Sequence, residues 1–573
     1  MERLIKMLSV SAPLLILFLG FFHPTQALNQ DLGRHILTGN IILSLFSVPP
    51  INLYSYTYPL FPFINHHWLP EVIFAMLFSL GGVKAIYIIC IGIIISASCI
   101  IFLTAKKASS WIVLSLSSLL YLGILFERTD LRPELFSFLF LSLFVYILYQ
   151  YRENYTRLIF LLIPLEILWV NSHIYFPLGV LVTTLFFLDI CFTERKNLKQ
   201  KKVVMLFSAV FLVLLATLCN PQGLTGALYP FHVFQNYGYT IEENQNPFFL
   251  QSLGFSKASL PFLEASVIIL FLSLLLTFKK SRLIDWLLAG TFTVIAFLAV
   301  RNFPLFVFAT LPGFTRSLTI LSAVLIKTLS EKQKRIGKYI IFSLIAIASI
   351  SMLTSLSQRA PFTYGVKEDG KNAVAYFQKN NLPGKIFNNF DIGSYLAFKL
   401  YPETKVFIDG RPEAYPASFI KDTYIPMQEN PELFTKEAKK YRFQTIIFSH
   451  TDQTPWAEKF VWLITRDPAW TMVFLDAKMM ILVKNEEKNI PLLEKLKPFD
   501  LINPINVSNE SDLSSLGHFY SITQDKENLL LVLQKLLLIK PYHCAYLRAI
   551  LSITDQNTPI QSLYLKRFQG SCN

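Results

Sequence analysis

The chain has 573 residues, 53% of them hydrophobic and only 16% charged, with a mean hydropathy of +0.45. That composition excludes an ordinary soluble globule and points to a polytopic membrane protein. The formal net charge of +14 does not indicate nucleic acid as a partner, because the basic residues sit between apolar runs and not on one basic-aromatic face.

Runs long enough to cross roughly 30 Å of hydrocarbon lie near 8–27, 83–105, 109–126, 134–150, 157–172, 174–191, 203–219, 262–278, 283–300, 302–325 and 338–356. They predict about 11 transmembrane helices in a unit spanning 1–356. Basic residues such as Arg3, Lys106, Arg152, Arg195, Lys279 and Arg335 all fall on one face, which the positive-inside rule makes the cytoplasm. An odd number of crossings then places loop 28–71, loop 220–261 and the chain after about 357 outside, and predicts a multi-pass protein of the plasma (inner) membrane. The first run also has signal-peptide features, a basic start in "MERLIK" and a cleavage-like "TQA". An uncleaved first span is expected, and Asp31 emerges outside in either case.

The first outer loop is unusually rich in chemistry. "DLGRHILTGNIILSLF" places apolar residues at helical spacing, as in a helix lying in the interface plane. Pro49, Pro50, Pro59 and Pro62 predict an extended path, and "NHHWLPEVIF" restarts a helix at Glu71 with Pro70 in its first turn. The loop thus brings Asp31, His35, His66, His67 and Glu71 to one level. Taken singly, each reads as an interfacial polar residue. Together they read as a site, because polar groups recur at the outer ends of later spans: "ERTDLRPE" with Arg128, Asp130 and Arg132, "WVNSH" with Asn171 and His173, "CNPQG" with Asn220, and "VRNFP" with Arg301. Arg128, Arg132 and Arg301 are suited to gripping a phosphate, and Asp31 to accepting a proton from an attacking hydroxyl. Glu166, inside "LLIPLEILWV", is a lone carboxylate in a span, expected to be protonated, paired or turned to the cavity.

Past 357 the chain alternates short β-rich runs, "KIFNNF", "KVFID", "FQTIIFS" and "TMVFLDAKMMILV", with helix-like stretches. That pattern predicts an extracytoplasmic α/β domain over 357–490, with Asp391, Asp409 and Arg411 near strand ends as acceptor ligands, or else an Asp–Arg pair closing a turn. A mainly helical tail follows over 491–573. Cys544 and Cys572 are expected as unpaired thiols, with a disulfide open to them if the tail lies in an oxidising compartment. No GxxxxGK[ST] or GxGxxG motif provides a nucleotide site, and no HExxH or CxxC provides a metal site. His66–His67 alone predicts packing over metal binding, and a divalent cation on carboxylates such as Asp31 is the one cofactor left open.

These motifs, "DLGRHILTGNII", "NHHWLPE", "LRPELFSFLF", "WVNSHIYFPLG", "CNPQGLTGALYPF", "RNFPLFVFATLP" and "NNFDIGSYLAFKLYPETKVFIDGRPEAY", together resemble multi-spanning prokaryotic proteins of the C-type glycosyltransferase superfamily, related to protein mannosyltransferases and lipid A aminoarabinose transferases. The resemblance covers most of the first 420 residues. It implies transfer of a sugar from a polyprenyl-phosphate carrier to a cell-envelope acceptor, a lipid, glycan or protein hydroxyl, at the outer face of the membrane. It also implies a catalytic acid in the first outer loop, which Asp31 matches, with Glu71 as a second acid and His35 beside them. Members usually carry an aromatic residue before that histidine, where this chain has Arg34. The expected roles are Asp31, Glu71 and His35 catalytic, with Arg128, Arg132 and Arg301 on the donor phosphate. Substrate binding falls to His66, His67, Asp130, Asn171, His173, Asp409 and Arg411. The alternatives are an inactive relative whose outer domain binds envelope partners, and a transporter of lipid-linked substrates. The latter predicts midplane polar residues and internal repeats, which the sequence does not show.

Overall fold

The computed structural model describes residues 2–233, 237–327, 329–555 and 558–572. Its first part is helical: α1 Glu2–Phe21, α2 Leu32–Leu45, α3 Trp68–Lys106, α4 Trp111–Leu125, α5 Glu134–Asn154, α6 Leu162–Val170, α7 Pro177–Thr193 and α8 Lys201–Ala216. The short α9 Leu224–Leu228 and α10 Pro247–Ser252 lie before α11 Leu260–Leu276, α12 Leu283–Leu298, α13 Phe303–Lys327 and α14 Glu331–Arg359. Among the described residues four helices are long and apolar enough to cross a membrane, those containing 68–106, 134–154, 300–327 and 331–359, and α4, α7, α11 and α12 are shorter apolar helices. The protein is a multi-pass membrane protein by this arrangement.

The expected helix in the first outer loop is α2, and the predicted restart at Glu71 begins three residues earlier, at Trp68. The restarted helix also runs further than the apolar pattern suggested. It continues into the span at 83–105 through a break at Gly81–Gly82, where Gly82 takes φ 62°, a left-handed conformation that glycine adopts without steric cost. Residues 68–80 therefore form an arm that lies against α2. The contact is close at Gly39, where a methyl group would sit 1.9 Å from the backbone oxygen of Glu71. Gly39→Ala is expected to force the two helices apart and to cost about 1–3 kcal/mol, the usual range for overpacking. An unchanged thermal midpoint of the purified variant would count against that contact.

Beyond α14 a five-stranded sheet forms in the order β1-β2-β4-β3-β5, from β1 Ile386–Phe387, β2 Thr445–Ser449, β3 Trp470–Leu475, β4 Met479–Lys484 and β5 Asp500–Leu501. β3 and β4, both from the single β-rich run "TMVFLDAKMMILV", pair antiparallel, and β1 joins β2 in parallel. Helices α15 Lys371–Lys379 and α16 Phe390–Leu400 flank β1, and α16 packs on α2. "KVFID" is not a strand. Val406 makes only an isolated bridge to Ser55, because its neighbour is the first outer loop and not another strand of the sheet.

That loop is built into the C-terminal domain. Ser55 donates to the carbonyl of Phe407 at 3.0 Å, Tyr56 to that of Ile386 at 2.6 Å, and Asn52 to that of Ala414 at 3.2 Å. Phe63 joins an aromatic core with Phe387, Phe407, Phe419 and Phe443. The loop and the C-terminal domain therefore bury one shared apolar surface, which fixes α2 beneath α16. In the tail, two helical hairpins bring Cys544 and Cys572 together as a disulfide with Cα atoms 5.6 Å apart, where the sequence reading favoured free thiols. Their separation of 28 residues carries no local signal of pairing; the fold of the second hairpin supplies it.

Candidate active site

Asp31 occupies the N-cap position of α2, but its side chain makes no capping hydrogen bond. An acid placed there and not used as a cap is free to serve another purpose. Its Oδ1 lies 3.2 Å from Arg34 Nη2, and the side chain keeps 28% of its surface exposed. It opens onto a cavity of about 110 Å³ between α2, the first loop, the start of α5, the loop before α7, the 241–244 segment and the 410–413 turn. Asp31, His35, His66, His67, Arg132, His173, Arg301 and Arg411 all contribute to its wall.

Behind this wall the second acid is placed against the histidine. Glu71 Oε1 accepts from His35 Nδ1 at 2.8 Å, and its Oε2 accepts from Asn65 at 2.5 Å, while Arg34 Nη1 stands 3.7 Å away. Glu71 is fully buried and does not line the cavity itself; its contact with the wall is through His35 and Arg34. A run of imidazole rings continues from there: His35 to His67 at 5.6 Å, His67 to His66 at 4.0 Å, and His67 to His173 at 5.2 Å between centroids. Trp169 donates to Ser137 Oγ at 2.8 Å, which leaves the Ser137 hydroxyl to donate to His173 Nδ1 at 2.9 Å. A neutral His173 then carries its proton on Nε2.

Burial fixes the charge states. It holds the His66 imidazole down at about 4 and those of His67 and His173 well below the ordinary histidine range, with neighbouring histidines or Arg301 adding to the effect. His35 is lowered by burial and by Arg34, against the pull of Glu71. For Asp31, burial works to raise the value, but Arg34, Arg132 and His35 outweigh it and hold the carboxyl below its ordinary range. Near neutral pH the cavity therefore combines neutral imidazoles, one ionised Asp31 and several guanidinium groups.

The arginines differ in what they have left to offer. Arg128 is committed: Nε and Nη2 form a bidentate pair with Glu134 at 2.7 and 2.8 Å, and Nη1 bonds Glu243. It organises the site from behind. Arg132 holds Glu243 at 2.9 Å and Gln30 at 2.8 Å, and Arg301 holds Asn244 at 2.9 Å above the Tyr175 ring. Arg34, Arg132 and Arg301 each keep a buried Nε–H without a hydrogen-bond partner. All three residues line the cavity, so its wall carries three guanidinium charges besides Arg411.

Other expected residues lie elsewhere. Asp130 lines a neighbouring cavity of about 280 Å³, on the far side of the Gln30–Arg132 contact. Asn171 accepts from Trp68 Nε1 at 2.7 Å and donates to the carbonyls of Ile167 and Cys219, so it ties helix ends together. Asn220 closes its own turn on Thr217 and Gly223. Asp409 and Arg411 form a buried bidentate pair at 2.7 and 2.8 Å, and Arg411 also reaches Asn52 at 2.8 Å. This is the turn-closing pair, although the Arg411 side chain still borders the cavity. Glu166 is buried with neither oxygen hydrogen-bonded, and it does not line the cavity.

The sequence reading did not single out Glu243 or Glu413. Glu243 bridges Arg128 and Arg132, and those arginines together with Arg301 hold its carboxyl well below the ordinary range against the effect of burial. Glu413 faces the cavity from the turn after Arg411, and burial raises its carboxyl. The available signals were the acid pair in "IEENQ" and the acid beside Arg411 in "GRPEAY". The donors around Asp31 do not fit a divalent cation: its oxygen is tied to Arg34, with Arg132 also near, where an ion would need further oxygen ligands. Among the described residues no group of three or more His, Cys, Asp or Glu side chains is placed to hold a metal.

Among solved structures the chain is similar to the oligosaccharyltransferase AglB of Archaeoglobus fulgidus in complex with an inhibitory peptide and a dolichol-phosphate. The TM-score is 0.56 at 11% identity, over 92% of this chain and 85% of that one. The Archaeoglobus fulgidus oligosaccharyltransferase tethered to an acceptor peptide matches at TM-score 0.52 and 10% identity, over 84% and 74%. ArnT of Cupriavidus metallidurans in its apo state matches at TM-score 0.50 and 10% identity, over 83% and 97%. No family model and no curated protein matches the chain. The likeness is one of fold: the chain shares the architecture of these proteins.

Proposed function

We propose that this chain, built on the fold of the C-type glycosyltransferases, moves a sugar from a polyprenyl-phosphate carrier to a hydroxyl of a cell-envelope acceptor. The membrane part would make eleven crossings, with the cavity and the C-terminal half on the outer face. The observation that carries the reading is the convergence of a partly exposed carboxylate, Asp31, with three guanidinium groups holding unpartnered buried N–H donors in one cavity. The dolichol-phosphate in the AglB complex supports a polyprenyl-phosphate carrier as the anion.

In this reading Arg132 and Arg301 hold the phosphate, and the acceptor hydroxyl lies against Asp31. The acceptor oxygen forms its bond to the anomeric carbon while the bond from that carbon to the phosphate oxygen breaks. The carrier phosphate leaves with the bonding pair, stabilised by the guanidinium groups, and the hydroxyl proton passes to Asp31. Glu71 fixes the tautomer and orientation of His35, while burial and Arg34 keep that imidazole neutral against the pull of Glu71. No step runs through a metal, because the donor set at Asp31 does not suit one.

The direct test supplies membranes from cells with and without the chain with a panel of radiolabelled polyprenyl-phosphate sugars and, in parallel, nucleotide sugars. Label is expected in an envelope acceptor from a lipid-linked donor, and only in membranes that contain the chain. No chain-dependent transfer from any lipid-linked donor would falsify the reading.

A further inference from the structure

α13 begins beside Arg301 at the cavity wall and runs for 25 residues to Lys327, so its far end marks the opposite edge of the membrane part. There α4, α13 and α14 enclose a groove of about 1040 Å³. Val113 and Leu116 of α4 and Leu321 and Leu325 of α13 form its apolar floor. The groove exists because α14 stands off at that end: its buried residues, Ile345, Ser349 and Leu356, all lie in its later half.

The mouth is basic. Lys332, Lys334, Arg335 and Lys338 line it, and the one acid among its lining residues, Glu331, is paired with Lys334 at 2.7 Å. Lys332 and Arg335 are exposed. Gly337, in the interior of α14, forms part of the wall, and a methyl group built there meets nothing within 4 Å. A helix-interior glycine costs about 1 kcal/mol relative to alanine, and no protein contact at this position calls for one.

We propose that this groove binds one anionic glycerophospholipid, with acyl chain on the leucine floor and headgroup phosphate on Lys332 and Arg335. A leucine-lined void of this size within a membrane is filled by chain, and the basic mouth selects among lipids, since a zwitterionic headgroup brings its own cation into the cluster. The site is independent of the sugar-transfer reading and lies at the other end of α13.

The test uses the full chain, purified in detergent, stripped of lipid and titrated with phosphatidylglycerol, phosphatidylcholine or undecaprenyl phosphate. Bound lipid is counted by native mass spectrometry and the thermal midpoint is followed. Phosphatidylglycerol is expected to bind and to raise the midpoint, phosphatidylcholine to do neither. Lys332→Gln with Arg335→Gln is expected to weaken phosphatidylglycerol roughly 30-fold, the loss of two surface cations. Gly337→Leu pushes an apolar side chain into the groove without touching a charge and is expected to weaken it as well, so a charge effect on folding alone would not mimic the pattern. Equal binding of the two phospholipids, or unchanged affinity in both variants, overturns the proposal. Displacement of phosphatidylglycerol by substoichiometric undecaprenyl phosphate also overturns it, by assigning the groove to the carrier.

Discussion

Asp31→Asn is expected to lower sugar transfer by about 10³-fold, within the span usual for loss of a positioned general base, while protein level and thermal midpoint stay near those of the wild type. The amide is nearly isosteric and keeps an oxygen toward Arg34, so the geometry of α2 is retained. What is lost is the proton acceptor. The sign of the pH dependence follows from the same contacts. Burial opposes ionisation of Asp31, yet Arg34, Arg132 and His35 together hold its carboxyl below the ordinary range. The carboxylate is therefore present at neutral pH, and activity is lost only as pH falls through that lowered value. The wild-type rate should be flat on its acid side from neutrality down past the ordinary aspartate range, and the residual rate of the variant should lack that acid limb altogether. Comparable rates for the two proteins with every donor would remove the catalytic reading of the first outer loop.

Much of this site was legible because apolar runs give polar residues at their ends a position. Asp31, His35, His66, His67, His173, Arg132 and Arg301 come from separate stretches of the sequence, yet each lies near the end of an apolar run, and the structure places all of them around one cavity. Partnerships were not legible in the same way. Nothing in "ERTDLRPE" says that Arg128 spends its fork on Glu134 and Glu243 while Arg132 keeps a free Nε–H. That distinction depends on the 241–244 segment folding back over the start of α5. "KVFID" has strand composition, but its neighbour turned out to be the first loop, so Asp409 and Arg411 close a turn against Asn52. The mostly helical part and the small sheet were readable from period and composition. The contact that joins them, α2 under α16 with the loop threaded into the aromatic core, is long-range and leaves no local pattern.

Arg301→Gln is expected to lower transfer by about 10²-fold, the usual consequence of removing one donor from developing negative charge. Arg301 stands at the start of α13 with one arm on Asn244 Oδ1 at 2.9 Å and its plane beside Tyr175, a placement that leaves Nε–H buried and unspent. Glutamine can still donate to Asn244, so the 241–244 segment stays seated and Glu243 keeps Arg128 and Arg132. The variant therefore isolates the phosphate contact from the architecture around it. If Arg301 grips the phosphate equally before and during transfer, the defect lies in donor KM. If it meets charge that grows as the carbon–oxygen bond breaks, the defect lies in kcat. The second outcome is expected, because the carrier phosphate gains charge only as the sugar departs. Arg128→Gln supplies the contrast: it breaks a bidentate buried pair with Glu134 and should reduce the thermal midpoint as well as the rate. An Arg301→Gln protein with wild-type kcat and KM would show that the phosphate lies elsewhere in the cavity, and Arg34 and Arg132 would then be left to hold it.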